Sequence, residues 1–266
     1  MPRSEAGLHY ELLGRAGAPV LVLLRGLARS LRHWLELPTL LAPSFHVVLV
    51  DNRGIGRSPP APLSLGIADM ADDVAHALDR ARIERCHLFG MSLGGMIAQR
   101  FALRHPDRLD RLVIGCSTPG GRHARRPALR TLGRMLHAAT RPRPEALQRS
   151  AEITLSAEFL RRHPEVVARW VSIDVAAPLS RRTVLAQALA AARHDSWDEL
   201  PTVRAPTLVV CGDADGLIPP DNSRLLAERI PGATLVWLPG AGHDFATELP
   251  ERTAELLRSF LLPAER

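Results

Sequence analysis

Gly90-Met91-Ser92-Leu93-Gly94 follows the apolar run Cys86-His87-Leu88-Phe89 and opens a stretch of helical periodicity. A G-x-S-x-G pattern at a strand-to-helix junction describes one sharp turn. Ser92 must take a strained backbone conformation there, and glycines two residues to either side leave room for strand and helix to cross. The hydroxyl is then held out at the top of a sheet, beside a helix N-terminus whose partial positive charge favours a developing anion. A serine so placed is a candidate nucleophile if a base and an acid reach it.

Outward from this turn, apolar runs at 20–24, 47–50, 87–89, 112–114, 208–211 and 235–238 read as strands. Most are continuously apolar, as strands buried on both faces should be. A further edge strand is expected around 9–13. Helical spacing marks 70–81, 93–103, 223–230 and 251–262. This alternation predicts an α/β fold, a doubly wound and mostly parallel sheet with helices on both faces. The stretch 119–200 breaks the rhythm, being arginine-rich, punctuated by prolines and without a convincing strand. It far exceeds the roughly 2–6 residues of an ordinary αβ connection. It is expected to form a helical cap insertion over the strand ends. Residues 1–118 and 201–266 are then the core domain, and 119–200 the cap.

The 266 residues are 46% hydrophobic, enough for one large domain with a sizeable core. All 34 basic residues are arginine, spread along the chain among 28 acids, giving a net charge of +6. Aromatics make up only 4%, too few for a base-stacking platform, so no nucleic-acid partner is expected. No run is long and apolar enough to span a membrane, and residues 1–5 lack the apolar core of a signal peptide. Cys86, Cys116 and Cys211 are an odd number of isolated, strand-like cysteines, which fits buried thiols and a cytoplasmic location. None has metal-ligand spacing with histidines. The arginines around Arg122, Arg125, Arg126 and Arg130 read first as a solvated face.

The serine's partners should lie at the C-terminal ends of other strands, the rim where open α/β sheets place ligands. Gly212-Asp213-Ala214-Asp215 follows the run ending at Cys211, and Gly240-Ala241-Gly242-His243 follows the run ending at Leu238. The order serine, acid, histidine matches the chain order that accompanies this type of turn. The stretch Ser117-Thr118-Pro119-Gly120 offers no carboxylate, so the acid is sought later in the chain.

With these motifs in place the chain resembles the α/β-hydrolase superfamily, in the capped branch of esterases, enol-lactonases and cofactor-free haloperoxidases. Asp51-Asn52-Arg53-Gly54-Ile55-Gly56-Arg57-Ser58 matches the family's D-x-R-G-x-G-x-S loop. Gly212 to Pro219 matches G-x-x-D-x-x-x-P, which assigns the acid to Asp215 and leaves Asp213 as a turn residue. Gly242-His243 with Glu248 and Pro250 matches G-H-x-x-x-x-E-x-P. The resemblance implies a triad of Ser92, Asp215 and His243, with backbone N–H groups of Leu27 and Leu93 as the oxyanion hole. It implies no metal and no cofactor. One departure stands out: the family usually begins the oxyanion loop with His-Gly, and here it is Arg25-Gly26. Arg25 either bonds neighbouring loops or holds a substrate carboxylate. The implied activity is hydrolysis of a small to medium carboxylic ester or lactone through an acyl-serine, by a protein that is either monomer or homo-oligomer. Perhydrolysis and carbon–carbon bond hydrolysis use the same triad, and a ligand-sensing receptor with an idle triad is the non-enzymatic alternative.

Overall fold

Strand β2 (Val20–Leu24) shows why the sheet forms. Leu21 and Leu23 enter the core on one face, Val22 and Leu24 enter the core on the other, and all four are fully buried. The computed structural model describes residues 7–262 apart from Thr140, Pro142 and Pro178. Residues 1–6 and 263–266, with the amino-terminal stretch read above for a signal peptide, lie outside the described residues.

Seven strands form one sheet in the order β1-β3-β2-β4-β5-β6-β7. They are β1 (Tyr10–Gly14), β2, β3 (His46–Val50), β4 (Cys86–Met91), β5 (Leu109–Gly115), β6 (Thr207–Gly212) and β7 (Thr234–Leu238). Only β1 runs antiparallel, pairing Tyr10 with Val50. Leu23 lies beside Phe89, Phe89 beside Val113, and Val113 beside Leu208, so the central strands carry one continuous apolar row. Helices α2 (Ile67–Arg80), α3 (Leu93–Arg104) and α9 (Asp221–Arg229) cover one face through Met70, Val74, Ile97, Phe101 and Leu226. The other face is covered by α1 (Leu37–Leu41) and, late in the chain, a terminal helix over Pro250–Leu261, through Leu37, Leu41, Leu257 and Leu261.

The elements differ from the expected ones at their ends. Helix α2 begins at Ile67, three residues early, because the Asp69 side chain accepts a hydrogen bond from Gly66 N–H at 2.8 Å and closes the first turn. Strand β5 begins at Leu109, which pairs with Cys86.

Between β5 and β6 the chain forms helices α4 (Leu129–Ala139), α5 (Arg143–Thr154), α6 (Ala157–Arg162), α7 (Glu165–Ala176) and α8 (Arg181–Ala192). They enter and leave through a narrow neck. Gly120 and Asp195 form an antiparallel bridge, Gly121 N–H donates to His194 O, and Ser196 N–H donates to Pro119 O, each at 2.9 Å. Gly120 has a φ of 73°, and a Cβ there would strike the His194 carbonyl. Buried Gln99 ties the neck to α3 through Ser196 Oγ and Thr118 O. The last elements are α10 (Phe245–Glu248) and α11 (Pro250–Leu261). Among the described residues no helix is long and apolar enough to cross a membrane.

The strand order sets where a site can form. From β2 the chain goes outward to β3 on one side, while from β4 it goes to β5 on the other. The loops leaving β2 and β4 therefore diverge and open a crevice, the switch point at which open α/β sheets bind ligands.

Candidate active site

Ser92 sits at that crevice. It caps the N-terminus of α3 with φ 56° and ψ −119°, a conformation side chains other than glycine rarely adopt. The strain is held from both sides. Ser92 N–H donates to Gly115 O at 2.8 Å, and Ser117 Oγ–H donates to Ser92 O at 2.8 Å. A Cβ at Gly90 would overlap the Gly94 carbonyl, and one at Gly94 would overlap the Leu24 carbonyl. The flanking glycines thus leave the room the G-x-S-x-G pattern requires.

Asp215 follows β6 and is buried. Its Oδ1 accepts from Leu217 and Ile218 N–H at 2.8 and 2.9 Å, which fixes the carboxylate plane. Its Oδ2 lies 2.7 Å from Nδ1 of His243, which follows β7 and is also buried. Asp213 is exposed and accepts from Gly240 N–H at 2.7 Å, bracing the turn that precedes His243. Among the described residues Ser92 Oγ has no hydrogen-bond partner, so Asp215 and His243 are joined here and His243 and Ser92 are not.

Leu27 and Leu93 present backbone N–H groups with no other partner among the described residues. Gly26 brings the first of these loops against Ser92, since a Cβ there would lie 3.1 Å from Ser92 Cβ. The loop is splinted from below by the Asp51–Ser58 segment. Asp51 Oδ1 accepts from Leu31 N–H at 2.8 Å, and Asn52 Nδ2–H donates to Arg25 O at 3.0 Å. Burial pushes the Asp51 carboxyl up from its ordinary value, against the pull of its bonds from Leu31 and Arg57 N–H. From above, Gln187 on α8 accepts from Ala28 N–H at 3.0 Å and donates to Arg53 O at 3.1 Å.

Arg25 takes the loop-bonding alternative. Its Nη1 donates to Asp244 Oδ1 at 3.0 Å and its Nη2 to Asp244 Oδ2 at 2.6 Å. The guanidinium carbon lies 4.7 Å from the centre of the Trp34 ring, and Arg25 is only 2% exposed. Burial pushes the Asp244 carboxyl up, but Arg25, with help from Arg29 and His243, pulls it below its ordinary value, so it stays ionised. Asp244 escaped the sequence reading because a carboxylate after a turn histidine looks like a loop residue. Its partner lies 219 positions away. The unusual Arg25 was the only trace of the pair in the chain.

Glu248 explains its own motif. Its Oε1 accepts from Gly242 N–H at 3.0 Å and Ser156 N–H at 2.8 Å, and its Oε2 from Ser156 Oγ–H at 2.6 Å. It fastens the His243 turn to the start of α6. Burial still leaves its carboxyl above the ordinary value. Trp34 and Trp170 are buried, the latter lying under the Arg29 guanidinium at 4.1 Å.

The one group of metal-ligand side chains found among the described residues is Cys116, Cys211 and Asp215, whose ligand atoms lie within 4.8 Å of one another. Asp215 already serves His243 and two N–H groups. Burial raises the Cys116 thiol well above its ordinary value, with Cys211 and Asp215 adding to the rise, so it stays protonated. That chemistry suits core packing better than a cation.

The model of the alpha/beta hydrolase fold family matches residues 19–248. A protein of Pseudomonas syringae pv. syringae (strain B728a) named "Putative carbamate hydrolase RutD" is 33% identical over 256 residues, covering 95% of this chain and 97% of the relative. Among solved structures, the enol-lactonase from Burkholderia xenovorans LB400 is similar at a TM-score of 0.84 and 27% identity, covering 96% of each chain. A thermophilic esterase from Thermogutta terrifontis, solved with malate bound, is similar at 0.79 and 31% identity, covering 96% of this chain and 92% of its own. By its matched residues and by its sheet, the chain belongs to the α/β-hydrolase fold family and is a hydrolase of that fold.

Proposed function

We propose that the chain hydrolyses a carboxylic ester or lactone of small to medium size through an acyl-serine on Ser92. The observation that carries this reading is the 2.7 Å bond between His243 Nδ1 and Asp215 Oδ2, on the same rim as the strained Ser92. With Nδ1–H donated to Asp215, Nε2 is left as the proton acceptor. Ser92 Oγ attacks the carbonyl carbon while its proton passes to His243 Nε2. The carbonyl oxygen becomes an oxyanion received by Leu27 and Leu93 N–H, at the positive end of α3. The intermediate collapses, the carbon–oxygen bond to the leaving group breaks, and His243 returns the proton to the departing alkoxide. Water then repeats the sequence on the acyl-serine and releases the acid. Helices α4 to α8 act as a cap, with Gln187 and Ser156 anchoring it to the oxyanion loop and the base loop.

Carbamate cleavage is the second reading, favoured by the name of the Pseudomonas syringae relative. The same attack on a carbamate carbonyl gives a carbamoyl-serine. Ser92→Ala is expected to abolish turnover of a short-chain nitrophenyl ester and of a nitrophenyl carbamate alike. Undiminished hydrolysis by that variant would sink the proposal, and the ratio of the two rates in the wild type decides between the readings.

A further inference from the structure

We infer that the Arg25–Asp244 ion pair is a positioning device for the reaction. It sets the distance between the oxyanion donor and the base, and it neutralises a second carboxylate beside the base. The inference rests on the roles proposed above for Ser92, His243 and Leu27.

The pair joins the two loops that carry the proposed oxyanion donor and the proposed base. Arg25 is two residues before Leu27, and Asp244 is the residue after His243. A bidentate guanidinium–carboxylate contact has a fixed plane and a fixed length, which a lysine or a single hydrogen bond does not provide. Both ends are held in turn. Arg25 O accepts from Asn52, and Arg25 Nη1 lies 3.9 Å from Met91 Sδ, the residue before the nucleophile. Asp244 N–H donates to Thr154 O at 2.8 Å, at the end of α5. Trp34 closes one face of the guanidinium. The oxyanion loop, the elbow, the base loop and an inserted helix therefore meet at one buried ion pair. A donor and a base that must both fit one tetrahedral intermediate lose rate, not substrate affinity, when their separation loosens.

The electrostatic half follows from the same contacts. The charged groups around His243 are Asp215 from the loop after β6, Asp244 from its own loop, and Arg25 and Arg29 from the loop after β2. Glu248 lies beyond them, bonded to Gly242 and Ser156. Asp215 must favour the charged imidazole for the reaction to run. A second uncancelled carboxylate at Asp244 would favour it in the resting enzyme and hold the base protonated. Arg25 removes that charge without leaving the site wet.

Four variants separate these effects. Arg25→Met removes the guanidinium that holds Asp244 ionised, so Asp244 and His243 compete for one further proton and the acid limb of kcat/KM moves to higher pH. Asp244→Asn leaves Arg25 uncancelled, so the limb moves to lower pH. Arg25→Met/Asp244→Leu returns the limb to its wild-type position but not the rate. Arg25→Lys keeps the charge and the limb while loosening the tether, and kcat falls roughly ten- to hundred-fold with KM within about twofold. The His243 ring titration, followed by NMR in the same proteins, reports the limb shifts independently of turnover. Limb shifts in the same direction for Arg25→Met and Asp244→Asn would overturn the electrostatic role. An Arg25→Lys enzyme with wild-type kcat would overturn the tether, and it serves even if the single charge-removing variants do not fold. An active wild type whose Ser92→Ala form is equally active refutes the catalytic reading instead, so the two failures are distinct.

Discussion

His194 is the residue whose burial has the clearest consequence for solution behaviour. It is 4% exposed at the neck of the insertion, and burial, aided by Arg100 and opposed by Asp195, pushes its pKa down to about 3. An unfolded histidine titrates near 6.5. Between those values the unfolded chain binds the proton and the folded chain does not, so stability is full above about pH 6.5 and is lost as pH falls toward 3. From this group alone, lowering the pH from 7 to 5 should cost on the order of 2 kcal/mol. Urea unfolding of the wild type and of His194→Leu at both pH values checks this. The variant should lose less stability on acidification, and equal losses would assign the effect to other groups. At this scale the chain was readable where a residue's place follows from a local motif, as with the strained turn at Ser92 and the loop positions of Asp215 and His243. It was unreadable where a side chain's partner is distant, as at Asp244 or at Gln99 in the neck.

Among the elements, the central strands were visible because both their faces are buried, which forces continuous apolar runs such as Leu21 to Leu24. Their ends were not, because an end is set by pairing, as Cys86 with Leu109, rather than by hydropathy. Helices α1 and α10 have five and four residues, too few for a period to register. The Asp51–Ser58 loop carries a carboxylate and an arginine two positions apart. Its fold makes it a splint, since Asp51 holds Leu31 and Arg53 pairs with Asp73. Gln187 is the corresponding brace from α8. Replacing it with leucine removes the acceptor from Ala28 N–H and the donor to Arg53 O. A buried N–H left without a partner costs about 1–3 kcal/mol. Gln187→Leu should therefore lower the unfolding free energy by that order and lower kcat through the oxyanion loop. A variant with unchanged denaturation midpoint and unchanged kcat would show that the brace is dispensable.

Across the whole molecule, the strand order brings three residues from distant parts of the chain to one rim. Ser92, Asp215 and His243 leave β4, β6 and β7, and the loop of Leu27 leaves β2 at the switch point. The inserted helices join the core at the neck and over the loops of Ala28 and His243, through Gln99, Gln187, Ser156 and Thr154. Their sequence carried no pattern from which a ligand could be read, because pocket shape arises from how five helices pack and not from any one motif. The central claim is that turnover passes through an ester bond to Ser92. Its most direct test is an acid quench during turnover of a slowly hydrolysed nitrophenyl ester, followed by mass spectrometry of the peptide containing residue 92. An acyl group on Ser92 that forms within the burst and decays at the turnover rate is the predicted result. Steady turnover with no acyl group on Ser92 at any time would contradict the account.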